Sequence, residues 1–320
     1  MFRETPFIEE QGVRVVLAQV APLLGDLSEN LRMHRRVIAD AIRKGADLVV
    51  FPELSLTGYL LQDLVSEVAL VPGKSTEVRD LCRLSRRIAI TVGLVEESQD
   101  HRFYNSALFL AGGKILHVHR KVYLPTYGMF DEGRDFAAGD RVTAFETPLG
   151  RFGMLICEDA WHLSTAYLLA RDGADYLLVL SSGPSRGVGS GKNLASITSW
   201  VDLGRAIAKF QTLYVVYVNR VGVEDGMHFS GGSFVVDPLG EMVGRAPALK
   251  EISRTVSLPR VLLRRARTLY PLLRDERTDV VVKELERLEG RKQPAPPDSA
   301  LDAPRRPLRT GPLLDRGRLG

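Results

Sequence analysis

The sequence has very little cysteine and no long apolar run. Two cysteines, Cys82 and Cys157, among 320 residues exclude the disulfide framework that stabilises many small secreted domains. No stretch approaches the roughly 20 consecutive apolar residues that a membrane span needs, and residues 1–10 lack the apolar core of a signal peptide. We therefore expect a cytoplasmic protein that does not interact with membranes.

The sequence outside the C-terminal end also lacks net positive charge. The formal net charge is +4, and residues 290–320 account for all of it, with seven Arg or Lys against three Asp. A nucleic-acid-binding protein carries its basic surface on the folded part, so we expect no nucleic-acid partner. The same residues include six prolines, which predicts a disordered tail.

What the sequence does have is a regular alternation of apolar runs and amphipathic stretches. This alternation is typical of β-sheets covered by helices, so we predict an α/β fold. Asp26 followed by Glu29 is typical of a helix N-terminus. The predicted helices are 27–44, 75–88, 162–171, 194–210 and 276–288. The predicted strands are 13–20, 46–51, 89–95, 104–110, 115–122, 152–156, 176–180, 214–218 and 231–236.

Three chemically reactive residues, Glu53, Lys121 and Cys157, each end a strand-like segment. A carboxylate, an ammonium and a thiol can serve as base, charge stabiliser and nucleophile in acyl transfer. We expect Glu53 to accept the thiol proton, and Lys121 and the backbone N–H after Cys157 to stabilise an oxyanion. Each residue has an alternative interpretation, because a buried Cys is often structural and a Glu or Lys at a strand end is often only solvated.

Two histidines and the second cysteine point to structure rather than chemistry. His117 and His119 share one face of a predicted strand, but a metal site needs a third ligand and none is evident. We therefore predict no metal. Cys82 lies on the apolar face of a predicted helix and is expected to be a core residue.

Glycine is concentrated between Ser182 and Lys192. A phosphate-binding P-loop is excluded there, because Arg186 and Asn193 stand where that motif needs Gly and Ser or Thr. We predict a loop that shapes the mouth of a pocket. An anion nest formed by the glycines of 187–191 is the alternative.

Three segments resemble the signature regions of the nitrilase, or carbon–nitrogen hydrolase, superfamily. They are 51–59 (FPELSLTGY), 120–139 (with RKVYLP, FDE and FAAG) and 153–159 (GMLICED). The resemblance implies that Glu53 is the general base, Lys121 the oxyanion lysine and Cys157 the acylated nucleophile. It also implies that Glu132 orients the lysine. The implied fold is a four-layer α-β-β-α sandwich with a C-terminal extension.

Within the superfamily, the sequence is most similar to the glutamine-hydrolysing domain of glutamine-dependent NAD synthetases. Segments 56–64, 124–132 and 157–161 carry this similarity. No synthetase domain follows in the sequence, so neither NAD synthesis nor ATP use is expected.

The same subgroup implies which residues hold the substrate. They are Tyr127, Glu158 and either Ser181 or Ser182. The carboxylate of Glu158 suits a substrate ammonium by charge pairing. We also predict that Trp161 is a wall of the pocket, with plain core packing as the alternative.

The expected organisation is a carbon–nitrogen hydrolase domain over 1–260, a helical extension over 261–289 and the tail over 290–320. Members of the superfamily usually pair through helices near the nucleophile, so a homodimer or larger homo-oligomer is expected.

We expect a thiol amidohydrolase that needs no cofactor and releases ammonia from a small amide, with glutamine or a related ω-amide favoured. The same three residues also suit a nitrile, an N-carbamoyl compound or an aliphatic amide. Two further alternatives are a glutaminase subunit that passes ammonia to a separate synthetase, and a non-catalytic binding protein. The intact Glu, Lys and Cys set argues against the last alternative.

Overall fold

The computed structural model describes residues 12–185 and 194–290 of the chain. The strands are β1 (Val13–Gln19), β2 (Leu48–Val50), β3 (Ala89–Glu97), β4 (Phe103–Ala111), β5 (Lys114–Arg120), β6 (Phe145–Thr147), β7 (Gly150–Ile156), β8 (Tyr176–Ser181), β9 (Tyr214–Asn219), β10 (Val221–Glu224), β11 (Met227–Ser230), β12 (Phe234–Val236), β13 (Met242–Arg245) and β14 (Ile252–Leu258). The helices are α1 (Leu27–Arg43), α2 (Val65–Val68), α3 (Thr76–Leu84), α4 (Glu132–Asp135), α5 (Leu163–Arg171), α6 (Ala195–Gln211), α7 (Arg260–Leu269), α8 (Leu272–Asp275) and α9 (Thr278–Glu289). Short 3₁₀ turns cover Gln62–Leu64 and Cys157–Trp161.

Most of these strands belong to two six-stranded sheets. The first has the order β14-β1-β2-β3-β4-β5 and the second the order β13-β12-β9-β8-β7-β6. The inner strands β1, β2 and β3 are parallel, as are β7, β8 and β9. The outer strands pair antiparallel with their neighbours, and β10 and β11 form a separate antiparallel pair.

The strands bury side chains on both faces. In β1, Val15 and Leu17 belong to a core shared by both sheets, whereas Val16 and Ala18 pack with residues of α1 and α3. In the second sheet, alternate residues of β7, β8 and β9 join that shared core, and the others pack with α5 and α6. The layers are therefore helix, sheet, sheet and helix, which confirms the expected four-layer sandwich.

The topology brings reactive side chains to one edge of each sheet. Parallel strands of a sheet end at the same edge. In the second sheet, the residues that follow β7, β8 and β9 therefore lie together, and in the first sheet the residues that follow β2 lie at the corresponding edge. Because β5 is antiparallel to β4, and β4 to β3, β5 ends at the same edge as β2. Glu53, Lys121, Cys157 and Ser181 all lie at or just beyond such strand ends.

The predicted elements are present, with changed bounds. The Asp26 side chain accepts a hydrogen bond from the Glu29 N–H at 2.9 Å and caps α1 as expected. The predicted strand over 231–236 begins only at Phe234, because Gly231 and Gly232 adopt left-handed backbone conformations with φ of +64° and +74°. The prediction missed β6, β10, β11, β13, β14, α2 and α4, and it included α7 and α8 only within the helical extension over 261–289, without separate bounds.

Strand β14, which was missed, and helix α7, which was not given bounds of its own, carry little apolar sequence. β14 is an edge strand whose side chains are mostly partly or fully exposed, and α7 contains four arginines among ten residues. Only Leu263 and Ala266 of α7 are buried. Strand β14 therefore lacks the continuous apolar run from which the other strands were predicted, and α7 lacks a broad apolar face.

The chain divides into two compact units, with the boundary between Arg274 and Asp275. Helix α7 belongs to the first unit, where Leu263 joins the core between the sheets. The described part of the second unit contains α9 and exposes Val280, Val282 and further leucines. The predicted division at 260 and the predicted extension over 261–289 stay predictions.

Residues 1–11 and 291–320 lie outside the described part of the chain, and with them the predicted tail apart from its first residue. Across the helices that the structure describes, none has the length and apolar character needed to cross a membrane.

The close approach of α6 to β12 at Gly204 generates a stability prediction. An added Cβ at Gly204 would lie 2.6 Å from Phe234 Cε2, so Gly204→Ala should destabilise the protein by about 1–3 kcal/mol. In a helix without this neighbour, the same change would stabilise. Urea unfolding should show the loss, and Gly204→Ala should cost less in a Phe234→Leu background than in the unchanged protein. An unchanged midpoint in Gly204→Ala would contradict the close packing.

Candidate active site

Cys157 lies where β7 passes into a 3₁₀ turn. Its φ of +46° is a left-handed conformation that residues other than glycine rarely adopt. Such a conformation persists only where neighbouring contacts impose it. The Ser181 hydroxyl, at the end of the adjacent strand β8, donates a hydrogen bond to Cys157 Sγ at 3.5 Å.

The ammonium of Lys121 lies between two carboxylates. Lys121 Nζ donates to Glu53 Oε1 at 2.8 Å and to Glu132 Oε1 at 2.6 Å. All three residues are buried. Because a buried charge is costly unless it is paired and hydrogen-bonded, these contacts fix the position of the ammonium. The structure therefore brings together the lysine and both glutamates that the sequence singled out.

Further contacts hold Glu53 in place. Its Oε1 also accepts from Asn105 Nδ2 at 2.8 Å, and its Oε2 accepts from the Ser182 N–H at 2.6 Å. The Ser182 hydroxyl donates to the Glu53 carbonyl at 2.9 Å. Of the two serines predicted to hold substrate, Ser181 thus contacts the thiol and Ser182 contacts Glu53.

Burial and these charges shift the proton affinities of the site. Burial, followed by the charge of Glu53, raises the pKa of the Cys157 thiol well above its usual value. Burial alone would lower the pKa of Lys121, but Glu53 and Glu132 raise it well above its usual value. Burial raises the pKa of Glu132 to about 7, against the opposing effect of Lys121. At neutral pH the resting site therefore holds a neutral thiol and a charged lysine.

The carboxylate of Asp159 connects the segment around Lys121 to the turn around Cys157. Asp159 Oδ1 accepts from the N–H groups of Val122 and Tyr123, both at 2.9 Å. Asp159 Oδ2 accepts from the Ile156 N–H at 3.0 Å and lies 2.8 Å from His119 Nε2. Burial alone would raise the pKa of Asp159, but the His119 hydrogen bond and the backbone donors lower it. One fully buried carboxylate thus joins the two sheets beside the nucleophile.

The two predicted strand histidines have separate partners. His119 pairs with Asp159, and His117 stacks on Phe145 at 4.2 Å between ring centroids. Burial lowers the pKa of His117 to about 4. Within residues 12–185 and 194–290, no group of three or more His, Cys, Asp or Glu side chains could hold a metal ion.

A pocket of about 350 Å³ lies in front of Cys157. The aromatic side chains that line it include Tyr127, Phe130, Trp161 and Trp200. The Tyr127 hydroxyl donates to Glu158 Oε2 at 2.8 Å, so the carboxylate next to the nucleophile faces this pocket. Trp161 is 44% exposed and its ring meets Trp200 edge-on at 5.1 Å, in keeping with a pocket wall. The predicted glycine-rich loop falls largely on residues 186–193, outside the described residues.

Sequence reasoning missed several residues that hold the site. Asn105, Tyr59 and Asp159 had no assigned role. Asn219 was also missed, although its Oδ1 accepts from the Gly183 N–H at 2.8 Å and its Nδ2 donates to the Gly183 carbonyl at 3.1 Å. A signal for Asn219 was available, because it ends an apolar strand just as Glu53 follows one. Asn105 lies inside β4 and offers no such signal.

Comparison with protein families identifies the chain. Residues 14–268 match the carbon–nitrogen hydrolase family. The chain belongs to this family. The carbon–nitrogen hydrolase is therefore an enzyme, and the resemblance read from its three signature regions is confirmed.

Two relatives differ in how much of their length the chain matches. The carbon–nitrogen hydrolase is 32% identical over 241 residues to a glutamine-dependent NAD(+) synthetase of Acinetobacter baylyi, covering 75% of this chain and 43% of that protein. It is 32% identical over 285 residues to an (R)-stereoselective amidase of a Pseudomonas species, covering 88% of this chain and 97% of the amidase. The chain thus spans less than half the length of the synthetase.

A solved structure shares the fold. The carbon–nitrogen hydrolase of Helicobacter pylori superimposes with a TM-score of 0.74 at 24% identity, over 85% of this chain and 97% of that one. At this identity the likeness supports the two-sheet fold alone.

The Asp159 contacts generate a stability prediction. Asp159→Asn removes the charge and places an NH2 group either at the N–H groups of Val122 and Tyr123 or at the Ile156 N–H and His119, so buried donors lose their acceptor. The variant should lose about 2–4 kcal/mol of unfolding free energy, measured by urea unfolding. Asp172→Asn is the matched control, because Asp172 accepts from the Ala144 N–H at 2.7 Å but lies at the surface. An equal effect of the two substitutions would argue against the role of Asp159.

Proposed function

We propose that this carbon–nitrogen hydrolase is a thiol amidohydrolase that releases ammonia from a small ω-amide, with glutamine as the favoured substrate. The observation that carries the proposal is the buried Lys121 ammonium, held between Glu53 and Glu132 and close enough to Cys157 for its charge to act on the thiol. Such a set suits an acyl transfer to sulfur.

The first step is attack by Cys157 on the amide carbon. Because the thiol is neutral at rest, its proton moves to Glu53 as the bond between sulfur and carbon forms. The tetrahedral intermediate then collapses, the bond between carbon and nitrogen breaks, and ammonia leaves with the proton from Glu53. The product on the enzyme is a thioester.

Charge on the substrate oxygen develops during this step. Lys121 has three N–H donors, and two of them point at carboxylates. The third is available for the oxyanion, together with the backbone N–H that follows Cys157. Donors held in place before the reaction stabilise such a charge without reorganisation.

Water completes the cycle. Glu53 accepts a proton from water, which attacks the thioester carbon. The bond between carbon and sulfur then breaks, the carboxylic acid leaves, and the proton returns to the thiol. No cofactor takes part in this proposal, which uses one carboxylate as base, acid and base again.

Glu158 and Tyr127 support the choice of substrate. The Glu158 carboxylate faces the pocket beside Cys157, and a carboxylate there pairs with an ammonium such as that of an amino acid. The glutamine-dependent relatives agree with this choice. In this proposal Tyr127, Glu158, Trp161 and Ser181 form the substrate site, and Ser182 positions Glu53.

A second candidate is an amidase for another small amide. It is favoured by the (R)-stereoselective amidase, which the chain matches over nearly its whole length.

The main proposal also includes a cytoplasmic location and a homo-oligomeric assembly. It further includes transfer of the ammonia to a separate synthetase.

Ammonia release over a substrate panel tests the proposal. The panel contains glutamine, glutaramate (glutamine without its α-ammonium), asparagine, aliphatic amides, N-carbamoyl amino acids and nitriles. We expect release from glutamine and none with Cys157→Ala. Glu158→Gln should raise KM for glutamine about 10-fold or more, while KM for glutaramate stays unchanged. Release from an aliphatic amide but not from glutamine would favour the second candidate.

The pH dependence gives a separate prediction. Glu132 has a pKa of about 7, so below this pH it becomes protonated and loses its attraction for Lys121. We expect kcat/KM to fall as the pH decreases through about 7, measured from pH 5 to 9. In Glu132→Gln the residual activity should lack this limb, whereas the exposed Glu146→Gln should retain it. An identical limb in Glu132→Gln would remove Glu132 from the proposal.

A further inference from the structure

Tyr59 lies beside the carboxylate that holds Lys121. Its hydroxyl donates to Glu132 Oε1 at 2.6 Å, and this is the same oxygen that accepts from Lys121 Nζ at 2.6 Å. The other oxygen, Glu132 Oε2, is buried without a hydrogen-bond partner among the described residues. The tyrosine and the lysine thus hold one carboxylate oxygen from two sides.

The backbone of Tyr59 is held from the opposite side by Glu224. Glu224 Oε1 accepts from the N–H groups of Tyr59 at 2.8 Å and of Leu60 at 2.7 Å. The preceding Gly58 has a φ of +84°, and a Cβ there would lie 2.7 Å from Leu24 Cα. The turn therefore packs too tightly for any larger residue, and it presents both amides to one carboxylate.

A buried arginine fixes Glu224. Arg220 Nη1 donates to Glu224 Oε2 at 2.6 Å, and Arg220 Nη2 donates to the Pro22 carbonyl at 3.1 Å. The guanidinium lies over the Phe229 ring at 4.2 Å, and the Tyr59 ring meets the same ring edge-on. Arg220 is 1% exposed and Glu224 is 5% exposed.

A buried ion pair of this kind contributes little net stability, because desolvation offsets most of the attraction. Its effect here is geometric. Arg220 sets the orientation of Glu224, and Glu224 sets the backbone of Tyr59. With its backbone held in this way, Tyr59 directs its hydroxyl at Glu132 Oε1.

We propose that Tyr59 is a positioning residue for the reaction proposed above. Its hydroxyl orients Glu132, and through Glu132 it orients Lys121. The Arg220–Glu224 pair holds Tyr59 in place for this role. Without the hydroxyl, the Glu132 carboxylate can rotate and exchange its two oxygens at Lys121. The ammonium then loses its single defined position beside Cys157.

The charges that face Glu132 agree with this role. They come from Lys121 and Glu53, whereas the Cys157 thiol and the Tyr59 hydroxyl are neutral. Burial and the neighbouring carboxylates raise the pKa of Tyr59 well above its usual value, so the tyrosine stays a proton donor throughout the working pH range. Its hydrogen bond lowers the pKa of Glu132.

Tyr59→Phe tests the proposal, because it removes one oxygen and keeps the ring. We expect kcat to fall about 10-fold or more, with KM changed less than about 3-fold. The acidic limb of the pH profile should move to higher pH, because Glu132 loses a hydrogen bond to its charged form. Tyr270→Phe, at an exposed site of the same unit, should match the unchanged protein.

A double-mutant cycle separates positioning from general stability. Glu224→Gln should also lower kcat, and the double variant should be no slower than Tyr59→Phe alone, since both changes act through one hydroxyl. Rates are expressed per folded enzyme, counted from the urea unfolding curve of each variant. Additive losses, or a lower kcat with an unmoved acidic limb, would overturn the proposal and indicate a structural tyrosine.

A measurement without substrate distinguishes this proposal from the proposed function. Alkylation of Cys157 by iodoacetamide, followed by mass spectrometry of its peptide, reports the charge that Lys121 places beside the sulfur. At pH 8 we expect slower alkylation in Tyr59→Phe than in the unchanged protein or in Tyr270→Phe. Equal alkylation rates would overturn the positioning role of Tyr59, even if ammonia release had established the amidase. Slower alkylation in Tyr59→Phe would support that role, even if no substrate of the panel released ammonia.

Discussion

The site depends on one buried ammonium. Lys121 is almost fully excluded from water, and its charge is tolerated only because Glu53 and Glu132 lie within hydrogen-bonding distance. The three groups therefore cannot be placed independently. Whatever orients one of them orients the others, and Asn105, Ser182 and Tyr59 all bond to the carboxylates rather than to the lysine.

A second constraint is that the nucleophile and the lysine belong to different sheets. Two packed sheets are held mainly by apolar contacts, which are non-directional and do not set a distance to a fraction of an ångström. Directional contacts across the interface supply that precision. Asp159 bonds to backbone groups on both sides of it, and Ser182 reaches from β8 to Glu53. The positive φ of Cys157 is kept within the same set of contacts.

The sequence revealed the reactive residues better than the residues that support them. Glu53 and Cys157 each follow an apolar strand, where a charged or nucleophilic group contrasts with its neighbours, and Lys121 follows the strand-like segment that ends at Arg120. Asp159 and Tyr59 also lie in recognisable motifs, but their partners are distant in sequence, and periodicity carries no information about such pairs. For the same reason β14 escaped prediction: its place beside β1 depends on backbone pairing rather than on apolar side chains.

The pairing of β1 with β14 has a consequence for where the chain enters and leaves the two-sheet sandwich. Val13 at the start of β1 lies opposite Leu258 at the end of β14, whereas the reactive residues follow the far ends of the parallel strands. The start of the first strand and the end of the last strand thus lie side by side, at the edge of the sheet away from the pocket. The chain therefore enters β1 and leaves β14 on the side opposite Cys157, so a change of the backbone at either of these two points would leave every contact of Lys121 intact.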